Sequence, residues 1–149
     1  MPTYLPIEVI PIEDDGYHLV VKIEVNGIDA RMLVDTGASR SVFDAERLLR
    51  FFPGQVPELQ ENLQKSTGLG AKDIESQALY LDSILMGKLV LRKYPAVVLP
   101  MDHVNQSYES LGLPPIDGVL GSDILMKYGA RIDYRNKMIR INLRKVRQL

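Results

Sequence analysis

Apolar and polar positions alternate along this chain in short blocks of period two. Tyr17-His18-Leu19-Val20-Val21-Lys22-Ile23-Glu24-Val25 reads as a strand, because successive strand side chains point to opposite faces. Asn26-Gly27 follows it, a dipeptide suited to a type I′ hairpin, which needs positive φ at both central positions. The return strand, Ile28 to Val34, ends at Asp35. Upstream, residues 1–16 are punctuated by Pro2, Pro6 and Pro11 and predict an extended N-terminal arm, with Asp14-Asp15-Gly16 as a turn. Downstream, Ile74 to Leu85, Lys88 to Leu91, Ala96 to Leu99, Ile116 to Leu120, Ala130 to Tyr134 and Met138 to Leu143 predict further strands.

Helical signals are few. Asp44 can cap a short helix from Ala45 to Phe52, which Pro53-Gly54 stops. Ser122 can cap a second helix through Tyr128, with Gly129 at its end. Residues 53–65 read as a polar connection with room for one more helical turn at Glu58 to Gln64. Pro100 to Pro115 reads as an irregular loop holding His103. Many short strands with one or two short helices predict an all-β barrel. With no internal repeat or composition break, residues 1–149 predict a single domain.

Composition narrows the function. Hydrophobic residues are 46% of the chain and charged residues 25%, as in a globular protein with its own core. Eighteen basic and nineteen acidic residues give a net charge of −1, so no global field favours nucleic acid or an anionic membrane. No apolar run approaches the roughly 20 residues of a membrane helix. The first residues lack the basic start and apolar stretch of a signal peptide, which makes the cytoplasm the expected location. Cysteine is absent, excluding thiol catalysis and cysteine zinc sites and suiting a reducing compartment. Two histidines, His18 and His103, and scattered carboxylates show no metal-ligand spacing. No phosphate loop is present. The ending Arg144-Lys145-Val146-Arg147 is basic and reads either as a solvated tail or as a contact for an acidic partner.

The candidate chemistry lies at Leu33-Val34-Asp35-Thr36-Gly37-Ala38-Ser39. An apolar strand delivers one carboxylate into a turn of small residues. Gly37 is expected to supply backbone angles closed to other residues, and Thr36 and Ser39 supply hydroxyls for the carboxylate or nearby backbone. An Asx-type turn after a strand would use the same residues. A second element stands downstream, Ile116-Asp117-Gly118-Val119-Leu120-Gly121-Ser122-Asp123-Ile124-Leu125.

Together, in this order and separation, these two elements resemble the aspartic proteases, and most closely the single-lobe, retropepsin-like branch. The resemblance spans about Tyr17 to Leu143 and rests on Asp35-Thr36-Gly37-Ala38-Ser39 and Val119-Leu120-Gly121. It implies a retropepsin-like closed barrel and peptide-bond hydrolysis without metal or organic cofactor. Asp35 would be the catalytic carboxylate. Thr36 would brace two turns across a dimer axis, Gly37 would approach the carboxylate and substrate, and Ser39 would help orient Asp35. Val119, Leu120 and Gly121 would pack beneath the turn. Ser66-Thr67-Gly68-Leu69-Gly70-Ala71 matches by position the flap tip that closes over substrate, with Gly68, Leu69 and Gly70 as its candidates; a plain glycine-rich hairpin loop fits the same residues.

The chemistry needs two carboxylates sharing a proton, one taking a proton from water and the other protonating the carbonyl or leaving group. Asp-Thr-Gly occurs once here. Asp117-Gly118 lacks the intervening hydroxyl residue, and Asp123 sits at a helix start, so neither reads as a second copy. The expectation is a homodimer with one Asp35 from each subunit on the two-fold axis. The alternatives are an inactive peptide-binding or dimerisation module on the same fold, and an aspartyl-phosphate enzyme, against which the strand-rich pattern speaks. The expected partners are a peptide or protein substrate and a second copy of the chain.

Overall fold

Asn26 and Gly27 both adopt left-handed angles, φ 51° and 80°, and close the hairpin between β2 (Gly16–Val25) and β3 (Ile28–Val34). The Asn26 side chain also ties the turn to a third strand: its carboxamide oxygen accepts from the backbone of Asp82 and Ser83. The structure, a computed structural model, describes residues 1–61 and 76–147.

The other elements are β1 (Pro2–Ile12), β4 (Val42–Asp44), β5 (Gln60–Glu61), β6 (Gln77–Met86), β7 (Leu89–Leu99), β8 (Gly118–Leu120), β9 (Arg131–Asp133) and β10 (Met138–Asn142), with two short helices, α1 (Asp102–Ser110) and α2 (Ser122–Lys127). The strand order is β5-β6-β7-β4-β8-β3-β2-β1-β10-β9. A further β6–β2 pairing closes β6-β7-β4-β8-β3-β2 into a six-stranded barrel, the retropepsin-like all-β fold with short helices that the sequence implies. Inside it pack Val21, Val25, Ala30, Leu81 and Ile139, none of them measurably exposed. Burying each large aliphatic side chain contributes about 1.5–3 kcal/mol.

The N-terminal arm is a full strand. Residues 2–6 pair with β10 and residues 7–12 with β2, which closes the chain's first and last strands against each other. Five local expectations change. Gln60–Glu61, inside the helical turn expected at Glu58 to Gln64, is strand β5, paired with β6. The helix over 45–52 is a 3-10 helix, Arg47–Phe51; Asp44 belongs to β4, where its backbone is committed to the sheet, while its side chain still accepts from Arg47 N. The two strands at 88–91 and 96–99 are one strand, β7, whose apolar alternation is broken by Lys93 at φ 48° and by Pro95. The irregular loop 100–115 contains α1 with His103 on it. Its polar sequence hides the helix, because few of its residues face the core, chiefly Tyr108. Ser122 does not cap α2; extended Gly121 precedes the helix without a side-chain cap.

α1 covers an outer face of the sheet. Tyr108, Met101 and Ile116 pack there against Ile10, Val20 and Val119, with Leu33 and Ala38 at the edge. Asn105 locks the loop to the helix by bonding Ile116 N at 2.8 Å and Ile116 O at 3.1 Å.

Candidate active site

β3 and β8 run parallel, with Leu33 beside Val119 and Val34 beside Leu120. The pairing continues one step past β3: Asp35 N donates to Leu120 O at 3.0 Å. The chain then turns sharply. Ala38 N donates to Asp35 O at 3.1 Å, and Gly37 N donates to the Asp35 carboxylate at 2.9 Å. Asp35, Thr36 and Gly37 are all exposed, so the backbone is fixed and the reactive group is presented outward.

Gly37 does not have the positive φ expected of it. A Cβ there would stand 3.3 Å from the Asp35 carboxylate oxygen, so glycine serves the close approach of its N–H to that carboxylate. Ser39 makes no hydrogen bond to Asp35. It lies beyond the bond that closes the turn, and its exposed side chain borders a hollow against β7 and α2. Ala38 is half-buried and its carbonyl accepts from Ser122 N at 2.8 Å.

Val119, Leu120 and Gly121 lie directly under the turn. A Cβ on Gly121 would stand 2.7 Å from the Arg40 carbonyl and 2.8 Å from Ala38 O, so only glycine lets the two segments cross. Ser41 stitches the crossing: its hydroxyl accepts from Gly121 N at 2.9 Å and donates to Asp123 at 2.7 Å, and Ser41 N donates to the same Asp123 oxygen at 2.9 Å.

Asp117 is likewise occupied. Its side chain is 0% exposed and accepts from Arg47 Nε at 2.8 Å, Arg50 Nε at 2.9 Å, Arg50 Nη2 at 2.7 Å and Arg31 N at 2.8 Å. Burial pushes its carboxyl up, but the Arg50 and Arg31 hydrogen bonds and the two guanidinium charges outweigh that and hold it below the usual aspartate value. The sequence reading missed this clamp; the signal was Arg47 and Arg50 at a spacing of three, one helical turn apart. Asp133 caps its own turn, accepting from Asn136 N and Nδ2.

Beside Asp35 lies a hollow of about 300 Å³ lined by Tyr17, His18, Leu33, Thr36, Ile132 and Tyr134. Its rim is aromatic: Tyr17 is 61% exposed and Tyr134 66%. His18 is held by the Tyr108 hydroxyl at 2.8 Å, with the two rings stacked. Among the described residues lining this hollow, Asp35 is the one carboxylate. The flap candidates Gly68, Leu69 and Gly70 fall outside the described residues, as do residues 62–65 of the 53–65 connection. Among the described residues no group of three His, Asp or Glu could hold a metal.

This architecture is shared. The chain is similar over 95% of its length to a retropepsin-like aspartic protease from Rickettsia conorii, covering 94% of that chain at TM-score 0.56 and 19% identity. It is similar over 89% of its length to the retroviral protease-like domain of Ddi1 from Leishmania major, covering 94% of it at TM-score 0.55 and 15% identity. Among curated protein sequences none matches. A family model described as aspartyl protease matches residues 21–124, from β2 through the Asp35 turn to the start of α2. With that match over most of its length, the chain belongs to the aspartyl protease family.

Proposed function

We propose that this protein is a homodimeric aspartic endopeptidase in which Asp35 of each subunit forms half of the catalytic pair. The observation that carries this reading is the Asp35 carboxylate, exposed at the end of β3, oriented by Gly37 N–H and, among the described residues, without a second carboxylate in its hollow. Asp117 and Asp123 are engaged by arginines and by Ser41, so neither is available to complete the pair within one chain. The exposed Tyr17 and Tyr134 rims support a partner at this surface, since such aromatic area is enriched where proteins meet.

In the dimer one Asp35 is ionised and takes a proton from a water as the water oxygen bonds to the scissile carbonyl carbon. The other is protonated and gives its proton to the carbonyl oxygen. The tetrahedral intermediate collapses with a proton passing to the leaving nitrogen, and the pair returns to one shared proton. Two carboxylates about 3 Å apart cannot both ionise, so the pair titrates as a unit. Thr36, exposed next to Asp35, would meet its counterpart across the axis.

The test couples sedimentation equilibrium over a wide concentration range to cleavage of a generic peptide. Activity should follow the dimer fraction, and Asp35→Asn should lose at least about 100-fold in rate while still folding and dimerising. A protein that stays monomeric and inactive at high concentration is a peptide-binding module on a protease fold.

A further inference from the structure

The residues that leave the catalytic turn, Ser39-Arg40-Ser41, form one wall of a second hollow of about 580 Å³ between that turn, β7 and α2. Its charge is one-sided. Arg40, Arg92, Lys127 and Lys145 line it, and Asp123 is the one carboxylate among its described lining residues. Asp123 is already bonded to Ser41 and to Ile124 N. Arg92, Lys127 and Lys145 are exposed and form no ion pair with a described residue, although the chain as a whole carries net charge −1. Tyr94, half-buried in the wall, has no hydrogen-bond partner for its hydroxyl among the described residues. Burial, and then the Asp123 charge, push that hydroxyl far up, so it stays protonated and can donate.

We propose that this hollow is a substrate subsite for an acidic side chain, so that the enzyme prefers peptides with Asp or Glu near the scissile bond. The proposal rests on the peptidase reading above and deepens it. Three exposed cations and one donor hydroxyl match a carboxylate, and the concave wall lets several charges act on it together. The geometry also bounds the position. Arg40 lies five positions after Asp35, a span of at most about 18 Å, which an extended peptide covers in about five residues. The preferred acid therefore lies within about five residues of the bond that Asp35 cleaves.

The test uses the full chain and a peptide library with Glu or its isostere Gln at each position within five of the scissile bond. Glu at one position should raise kcat/KM about tenfold over Gln at low salt, as expected for contacts to several partly exposed cations. The advantage should shrink at 0.5 M salt and vanish in R92E/K127E. Binding of the Glu peptide to Asp35→Asn, followed by fluorescence anisotropy, separates this proposal from the peptidase reading. Glu-selective binding that R92E/K127E abolishes supports the subsite even if no cleavage is ever seen. Equal binding of Glu and Gln peptides, or a Glu preference untouched by R92E/K127E, overturns it.

Discussion

At the scale of single residues, the least expected side chain is Asp117. Complete burial of a carboxylate is tolerable only because two guanidinium groups and one backbone N–H meet it. Removing the carboxylate in Asp117→Ala strands two cations. These are 30% and 37% exposed and can partly rehydrate, so the expected loss is about 3 kcal/mol, at the lower end for a broken buried pair, read by urea denaturation. The pH dependence has a definite sign. The folded pKa lies below the ordinary value of 3.8, so the native state binds fewer protons there than the unfolded chain. The contribution is fully present above about pH 4 and is lost as pH falls through the folded value. Stability measured downward from pH 4 should fall less steeply in Asp117→Asn than in the parent. Asp35 carries no such partners among the described residues. Its one backbone donor sets its direction and leaves it open to chemistry.

At the scale of elements, the active turn exists because two short strands run parallel and their exits cross. β3 and β8 share three residue pairs, and the crossing then depends on Gly121, Ser41 and Asp123. Gly121→Ala would place a methyl group against main-chain atoms that cannot rotate away. The expected cost is about 1–3 kcal/mol in stability, with a drop in peptidase rate larger than the stability loss explains, since Ala38 and Arg40 must move. Thermal melts and kcat measured on the folded fraction check it. α1 acts on the same turn from the side, through Leu33 and Ala38. Tyr108→Phe removes one hydrogen bond and should cost about 1 kcal/mol. Elements of regular alternation, β2 and β3 with their Asn26-Gly27 turn, were legible in the sequence because local sterics and one-sided burial act along a single segment. α1 and the continuity of β7 were not, because tertiary contacts override weak local patterns there.

At the scale of the whole molecule, the barrel presents Asp35 in a hollow bounded by residues from both ends of the chain, Tyr17 and His18 on β2 and Ile132 and Tyr134 at β9. The family match spans residues 21–124, and β9 with Tyr134 lies beyond it. The proposed pairing of Asp35 carboxylates on a two-fold axis makes two predictions. The pH–rate profile should be bell-shaped, with both limbs lost in Asp35→Asn. Mixing excess Asp35→Asn with the parent should suppress activity as heterodimers form, whereas a catalytic monomer would be unaffected by mixing. Tyr134→Glu should weaken the dimer by placing charge on its rim, without altering the fold of a residue that is 66% exposed.

The sequence by itself determined the family and the barrel class, and singled out Asp35 as the candidate carboxylate. These reside in contiguous residues whose backbone demands are local: an apolar strand, a small-residue turn, and a glycine after two apolar residues. The tertiary structure alone decided how each residue serves. Gly37 is needed for proximity and not for φ, Ser39 makes no hydrogen bond to Asp35 and borders a second hollow, Asp117 is a buried anchor for two arginines, and that second, cationic hollow opens beside the Asp35 turn. The last two of those facts join residues far apart in the chain, such as Arg50 with Asp117, 67 positions apart, or Ser39 with Lys145, 106 apart. A carboxylate's partners and a side chain's exposure are properties of what the fold brings near, and local sequence holds no record of them.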